Sequence, residues 1–163
     1  MKGLAQSISL YTSRAAEKLR AQQSYAGSIT VFIQTSPFRD QDPQYGPSRT
    51  VALSTATDDT TTLVGIAMLV LGEIYERGYK YVKAGIMLGE LVPAAGVQSD
   101  MFSDMQPKAK SANLMNVLDS VNRKMGKNTL VTGSQGFAQP WAIKQEKKSP
   151  NYTTRWDEIL KVD

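Results

Sequence analysis

Three side chains in a short hinge offer the clearest chemistry, and it is recognition rather than catalysis. Gln98-Ser99-Asp100-Met101-Phe102 lies between Pro93 and Gly96 on one side and Pro107 on the other. In an extended peptide, the Gln98 amide can exchange hydrogen bonds at the rim of a pocket on another protein while Met101 and Phe102 fill it. Enclosing the phenyl ring alone removes about 150 Å² from water. A linker whose Met101 and Phe102 fold back on the nearest domain accounts for the same pentapeptide.

The carboxylates point less far. Asp58-Asp59 and Asp40/Asp42 are the close acidic pairs before the C-terminal tail. A two-metal nucleotidyl-transfer site needs carboxylates converging from separate strands, with a cation for the triphosphate. Adjacent Asp58-Asp59 reads better as the cap of a helix, and Asp40/Asp42 as loop solvation. Gly133-Ser134-Gln135-Gly136 lacks the following Lys and hydroxyl of a phosphate-cradling loop and reads as a tight turn. With neither His nor Cys in 163 residues, no Ser-His-Asp or Cys-His pair and no thiolate zinc site can form. No active site is expected.

The chain is 41% hydrophobic and 21% charged, the composition of a folded soluble domain. It has no apolar run long enough to span a bilayer, and the first residues lack a signal-peptide core. The absence of Cys fits a reducing interior, so a cytoplasmic location and no membrane partner are expected. Residues 1–102 carry nine cationic against nine acidic side chains, whereas 103–163 carry ten against six, so the whole net charge of +4 resides in the second stretch. Such an excess permits nucleic-acid binding without requiring it.

Periodicity sets out the elements. Leu4, Ile8, Tyr11, Ala15 and Leu19 recur at helical steps; Ile29, Val31 and Ile33 alternate with Thr30, Phe32 and Gln34 as a strand. Pro37, Pro43, Gly46 and Pro47 mark a loop, and a second strand covers 49–53 with Val51 and Leu53 inward. A helix follows Thr57-Asp58-Asp59 on the stripe Leu63, Ile66, Ala67, Val70 and Ile74, with Gly78 placed to end it. The third strand, 79–88, sets Val82, Ala84, Ile86 and Leu88 inward. The order helix-strand-strand-helix-strand, with one strand added in front, gives a split βαβ, ferredoxin-like α+β fold with two helices on one face of an antiparallel sheet. The expected outward residues of the open face are Thr30, Phe32, Gln34, Arg49, Tyr81 and Lys83. Hydroxyl, amide and cationic groups on a flat face suit phosphate contacts, and they equally suit a solvated sheet face.

Beyond the hinge, Leu114, Val117, Leu118, Val121 and Met125 form a helical stripe closed by Gly126, with short strands expected at 129–131 and 141–143. About 55 residues are marginal for a core of their own, so this small α/β extension should lean on the first unit or wait for a partner. Trp141, Tyr152 and Trp156 read as core or inter-domain anchors.

Several stretches together resemble the C-terminal portion of the UmuC family, error-prone translesion DNA polymerases of the Y family. They are Ser13 to Arg20, Thr35-Ser36-Pro37-Phe38, Tyr81 to Gly89, and Ser149-Pro150-Asn151-Tyr152-Thr153-Thr154-Arg155-Trp156. The resemblance implies three parts: residues 1–95 as the little finger that grips DNA, 96–109 as a linker, and 110–163 as the family's C-terminal extension. It implies that Thr30, Gln34, Arg49, Tyr81 and Lys83 contact primer-template DNA, and that Gln98, Met101 and Phe102 bind the β sliding clamp. Its implied partners include the UmuD′ dimer and the RecA filament, in the SOS response to DNA damage. The chain is then a non-catalytic fragment with no cofactor of its own, the Mg²⁺ of the intact polymerase being held by a palm upstream of Met1. The first strand of the little finger would also lie upstream, leaving a sheet edge exposed. Two departures stand out: Gln34 where relatives often carry Lys or Arg, and Met101 where leucine is usual. A free-standing interaction module that binds the clamp or UmuD′ without polymerase activity fits the same residues.

Overall fold

The computed structural model describes residues 1–94, 105–136, 141–142 and 149–159. Its elements run α1 (Lys2–Ala21), β1 (Ser24–Thr35), β2 (Ser48–Thr57), α2 (Thr60–Ile74), β3 (Tyr81–Pro93) and α3 (Met105–Met125). Two single-turn 3-10 segments follow, Gly133–Gln135 and Trp156–Glu158. The fold is α+β, with the antiparallel sheet in the order β2-β1-β3. The outer edge of β3 pairs with no strand among the described residues.

The core lies between this sheet and α1 and α2. Ile29, Val31 and Ile33 of β1 are fully buried against Ile8 of α1 and Ala67, Val70, Leu71 and Ile74 of α2. Each enclosed Ile contributes roughly 1.5–3 kcal/mol. Asp59 caps α2 as its position suggested: Thr62 N–H donates to Asp59 Oδ1 at 2.6 Å, satisfying one of the free amides of the first turn. Gly78, at φ +97°, sits in the turn after that helix rather than at its last residue, because the helix already ends at Ile74.

Helix α1 is buried on two sides, where the sequence shows one stripe. Its far side is covered by the segment after α3. Ser9 Oγ and Ser134 Oγ share a hydrogen bond of 2.6 Å, and Gln135 Nε2 donates to Ser13 Oγ at 2.8 Å. Trp141 packs on Gly3 and meets Tyr11 edge to face at 6.1 Å, so it is the anchor its type suggests. Tyr152 and Trp156 are not: both are exposed, Trp156 by 91%.

The extension also corrects the sequence reading in two respects. Residues 129–131 form bends and coil rather than a strand, and Trp141-Ala142 form a turn and bend. Ile143 lies outside the described residues. Asn122 holds 129–131 out of any sheet by bonding both backbone groups of Leu130, accepting its N–H at 2.8 Å and donating to its carbonyl at 2.9 Å. Second, α3 turns Met115 inward and leaves Leu114, Val117 and Met125 exposed. A polar clasp sets that orientation. Arg20 of α1 grips Asp119 bidentately, Nε to Oδ2 at 2.6 Å and Nη2 to Oδ1 at 2.8 Å. Its Nη1 donates to the Asp58 carbonyl at 2.7 Å and to Thr60 Oγ1 at 2.9 Å. Ser111 Oγ donates to Asp59 Oδ2, completing the clasp.

Candidate nucleic-acid interface

Opposed residues of an antiparallel pair share a face, so register decides what the open side of the sheet presents. Thr30 pairs with Thr50 and with Met87, Phe32 with Ser48 and Gly85, Gln34 with Lys83, and Ser28 with Ala52 and Gly89. Thr30, Gln34 and Lys83 therefore stand on the open face as expected.

Arg49 and Tyr81 do not. Arg49 pairs with Val31, whose side chain is buried under the helices, and its Nε meets Glu73 Oε2 of α2 at 2.9 Å. The signal was available: Arg49 alternates in phase with Val51 and Leu53, which face inward. Tyr81 is displaced by an irregularity. Gln34 pairs with Lys83 but Thr35 with Tyr81, so Val82 is the extra residue of a bulge and the alternation reverses beyond it. Tyr81 packs against the core, and its hydroxyl donates to the Glu76 carbonyl at 3.0 Å while accepting the Glu76 N–H at 3.1 Å. Burial, with the nearby Glu76 carboxylate also acting, pushes its phenol above the usual value despite the Glu76 N–H, so it stays neutral at physiological pH. In place of these two, Thr50 and Ser48 join the face; their alternation opposite to Val51 and Leu53 could have identified them.

The face is flat and hydroxyl-rich. Thr30 Oγ1 and Thr50 Oγ1 share a hydrogen bond of 2.8 Å. Phe32 lies across Gly85 so closely that a methyl group there would collide with the ring. The Lys83 ammonium sits 5.8 Å from the centre of the same ring. This cation–π contact orients the charge without neutralising it. Gly89 likewise lets Ser28 Oγ approach, a Cβ at that position falling only 2.7 Å from it. Small residues, hydroxyls, one amide and a poised ammonium, beside the apolar Phe32 and Met87, make a surface that can contact a sugar-phosphate backbone.

Among the described residues no three His, Cys, Asp or Glu side chains converge as a metal site. No helix among them is long and apolar enough to cross a membrane. Asp59 is spent on Thr62 and Ser111: burial pushes its pKa up, but those hydrogen bonds outweigh burial and hold it below the ordinary value. Asp58 moves the other way, raised by burial in spite of Arg20. Gln98, Met101 and Phe102 lie outside the described residues.

The chain is similar to known proteins over nearly its whole length. A family model described as the impB/mucB/samB family C-terminal domain matches residues 1–101. A second model, described as a domain of unknown function, matches residues 112–162. Protein UmuC of Salmonella typhimurium strain LT2 is 43% identical over 159 residues, 98% of this chain and 38% of the relative. Protein SamB of Salmonella typhimurium is 37% identical over 97% of this chain and 37% of its own length. Protein MucB of Escherichia coli is 39% identical over 96% of this chain and 36% of its own length. The chain thus spans little more than a third of the curated relatives it matches. The resemblance to the UmuC family is borne out, and the chain belongs to the impB/mucB/samB family through the C-terminal domain it carries.

Proposed function

We propose that this chain is the non-catalytic C-terminal part of an error-prone translesion DNA polymerase of the SOS response, one that holds primer-template DNA without regard to sequence. The observation that carries the reading is the likeness to UmuC, SamB and MucB along nearly the whole chain. The open face supplies the means. Lys83 neutralises a phosphate, Ser48 and whichever of Thr30 and Thr50 keeps its proton free of their shared bond donate hydroxyls to its neighbours, and Gln34 adds an amide in place of a second charge. A polymerase that admits damaged templates needs a roomy active site and so holds its substrate weakly. A separate grip on the backbone compensates, and the Mg²⁺ ions that drive nucleotide addition would be held in another part of the enzyme.

The pentapeptide from Gln98 to Phe102 then tethers the enzyme to the β sliding clamp, raising its effective concentration at the primer end. The extension meets the UmuD′ dimer and the RecA filament. Replacing Gln98, Met101 and Phe102 together by alanine should abolish clamp binding in surface plasmon resonance while the melting curve stays unchanged. A triple variant that binds the clamp as tightly as the parent removes the tether from this account.

A further inference from the structure

A cavity of about 450 Å³ opens between α1, the end of α3 and the loop that follows it. The size suits a ligand-binding cleft. Its floor is aliphatic, from Leu10, Leu118, Leu130 and Val131, and its rim carries Arg14, Lys18 and Lys127. None of these three cations is in an ion pair among the described residues, and Glu17 is the single carboxylate of the lining. Arg14 and Lys18 stand one helical turn apart, where like charges repel. Gln135 fixes the wall, its Nε2 donating to Ser13 Oγ and to Thr132 Oγ1 at 3.2 Å.

We infer that this cavity binds an acidic segment of a partner protein, seating one aliphatic side chain on Leu118, Leu130 and Val131 and its carboxylates on Arg14, Lys18 and Lys127. The inference is independent of the polymerase reading, since the cavity is built from α1 and the extension and uses no residue of the open face. Charge complementarity selects the occupant. A rim with more cations than anions favours carboxylates, and an aliphatic floor gives them an anchor. Nucleic acid fits less well, because no described residue of the lining carries an aromatic ring on which a base could stack.

The test titrates the full chain into a fluorescein-labelled peptide of glutamates around a central leucine, read by fluorescence polarisation at low salt. A second peptide with glycine for the leucine and a labelled oligothymidylate complete the set. Saturable binding of the leucine peptide is expected, weakened by about tenfold or more in the double variant Lys18→Glu, Lys127→Glu. Lys83→Ala should leave it unchanged, and the glycine peptide should bind more weakly. Both reversed positions are exposed, so unaltered melting is expected; Leu130→Ser probes the floor separately and should weaken only the leucine peptide. No saturable binding up to about 1 mM peptide overturns the inference. So does equal affinity for the two peptides, or a charge reversal that weakens only oligothymidylate.

Discussion

The body of the chain, residues 1–94, and the extension that begins with α3 are held by different physics. Ile8, Ile29, Val31, Ile33, Leu63 and Leu71 bury themselves in the body without help from the extension's side chains. Of the extension's described apolar residues, Met115 alone is buried to that degree. Polar pairs do the rest: Arg20 with Asp119, Ser111 with Asp59, Ser9 with Ser134, and Gln135 with Ser13. Apolar cores are non-directional and tolerate small shifts, whereas a bidentate pair holds one geometry and fails as a unit. A firm body that carries the proposed DNA-binding face, with an arm clasped to it at a few points, is the arrangement this contrast describes.

Three substitutions can break or sharpen the contrast. Ile29→Ala, at the centre of the sheet, should cost about 4 kcal/mol and lower the whole denaturation curve. Asp119→Ala strands an Arg20 side chain only 9% exposed and should cost about 3 kcal/mol. That loss should appear as local opening: hydrogen exchange should speed up in α3 and at 129–136 while β1 amides stay protected. Equal deprotection of β1 would show that arm and body are one cooperative unit. The smallest effect is acid-dependent. Because Asp59 has a pKa below its ordinary 3.8, the unfolded chain takes up that proton first as pH falls. Its contribution to stability is therefore present above that value and is lost below it. Asp59→Asn keeps a capping side chain and should flatten this acid limb in urea melts at successive pH values. An unchanged limb would mean that Asp59 does not hold the clasp.

The body was largely legible because its signals are local. The period of β1, the Asp59 cap and the stripe of α2 can each be read within a dozen residues, and each stands as the sequence implied. Two of the errors arose where partners are distant. Tyr81 faces inward because Val82 bulges against a strand nearly fifty positions away. The facing of α3 is dictated by Arg20, a hundred positions earlier, and no count of its own apolar residues could reveal it. Arg49 is different, since its phase with Val51 was visible in the sequence and only its charge suggested the open face. That distinction gives the surface its control, because Lys83 and Arg49 have the same charge and stand on opposite faces of one sheet.

The most direct measurement is primer-template affinity across a salt series for the parent, Lys83→Ala and Arg49→Ala. If the open face grips the backbone, Lys83→Ala weakens binding equally for unrelated sequences and reduces the log–log salt slope by about 0.9, while Arg49→Ala leaves both as they were. A slope unaffected by Lys83→Ala, or lowered as much by Arg49→Ala, would contradict the assignment of the grip to this face.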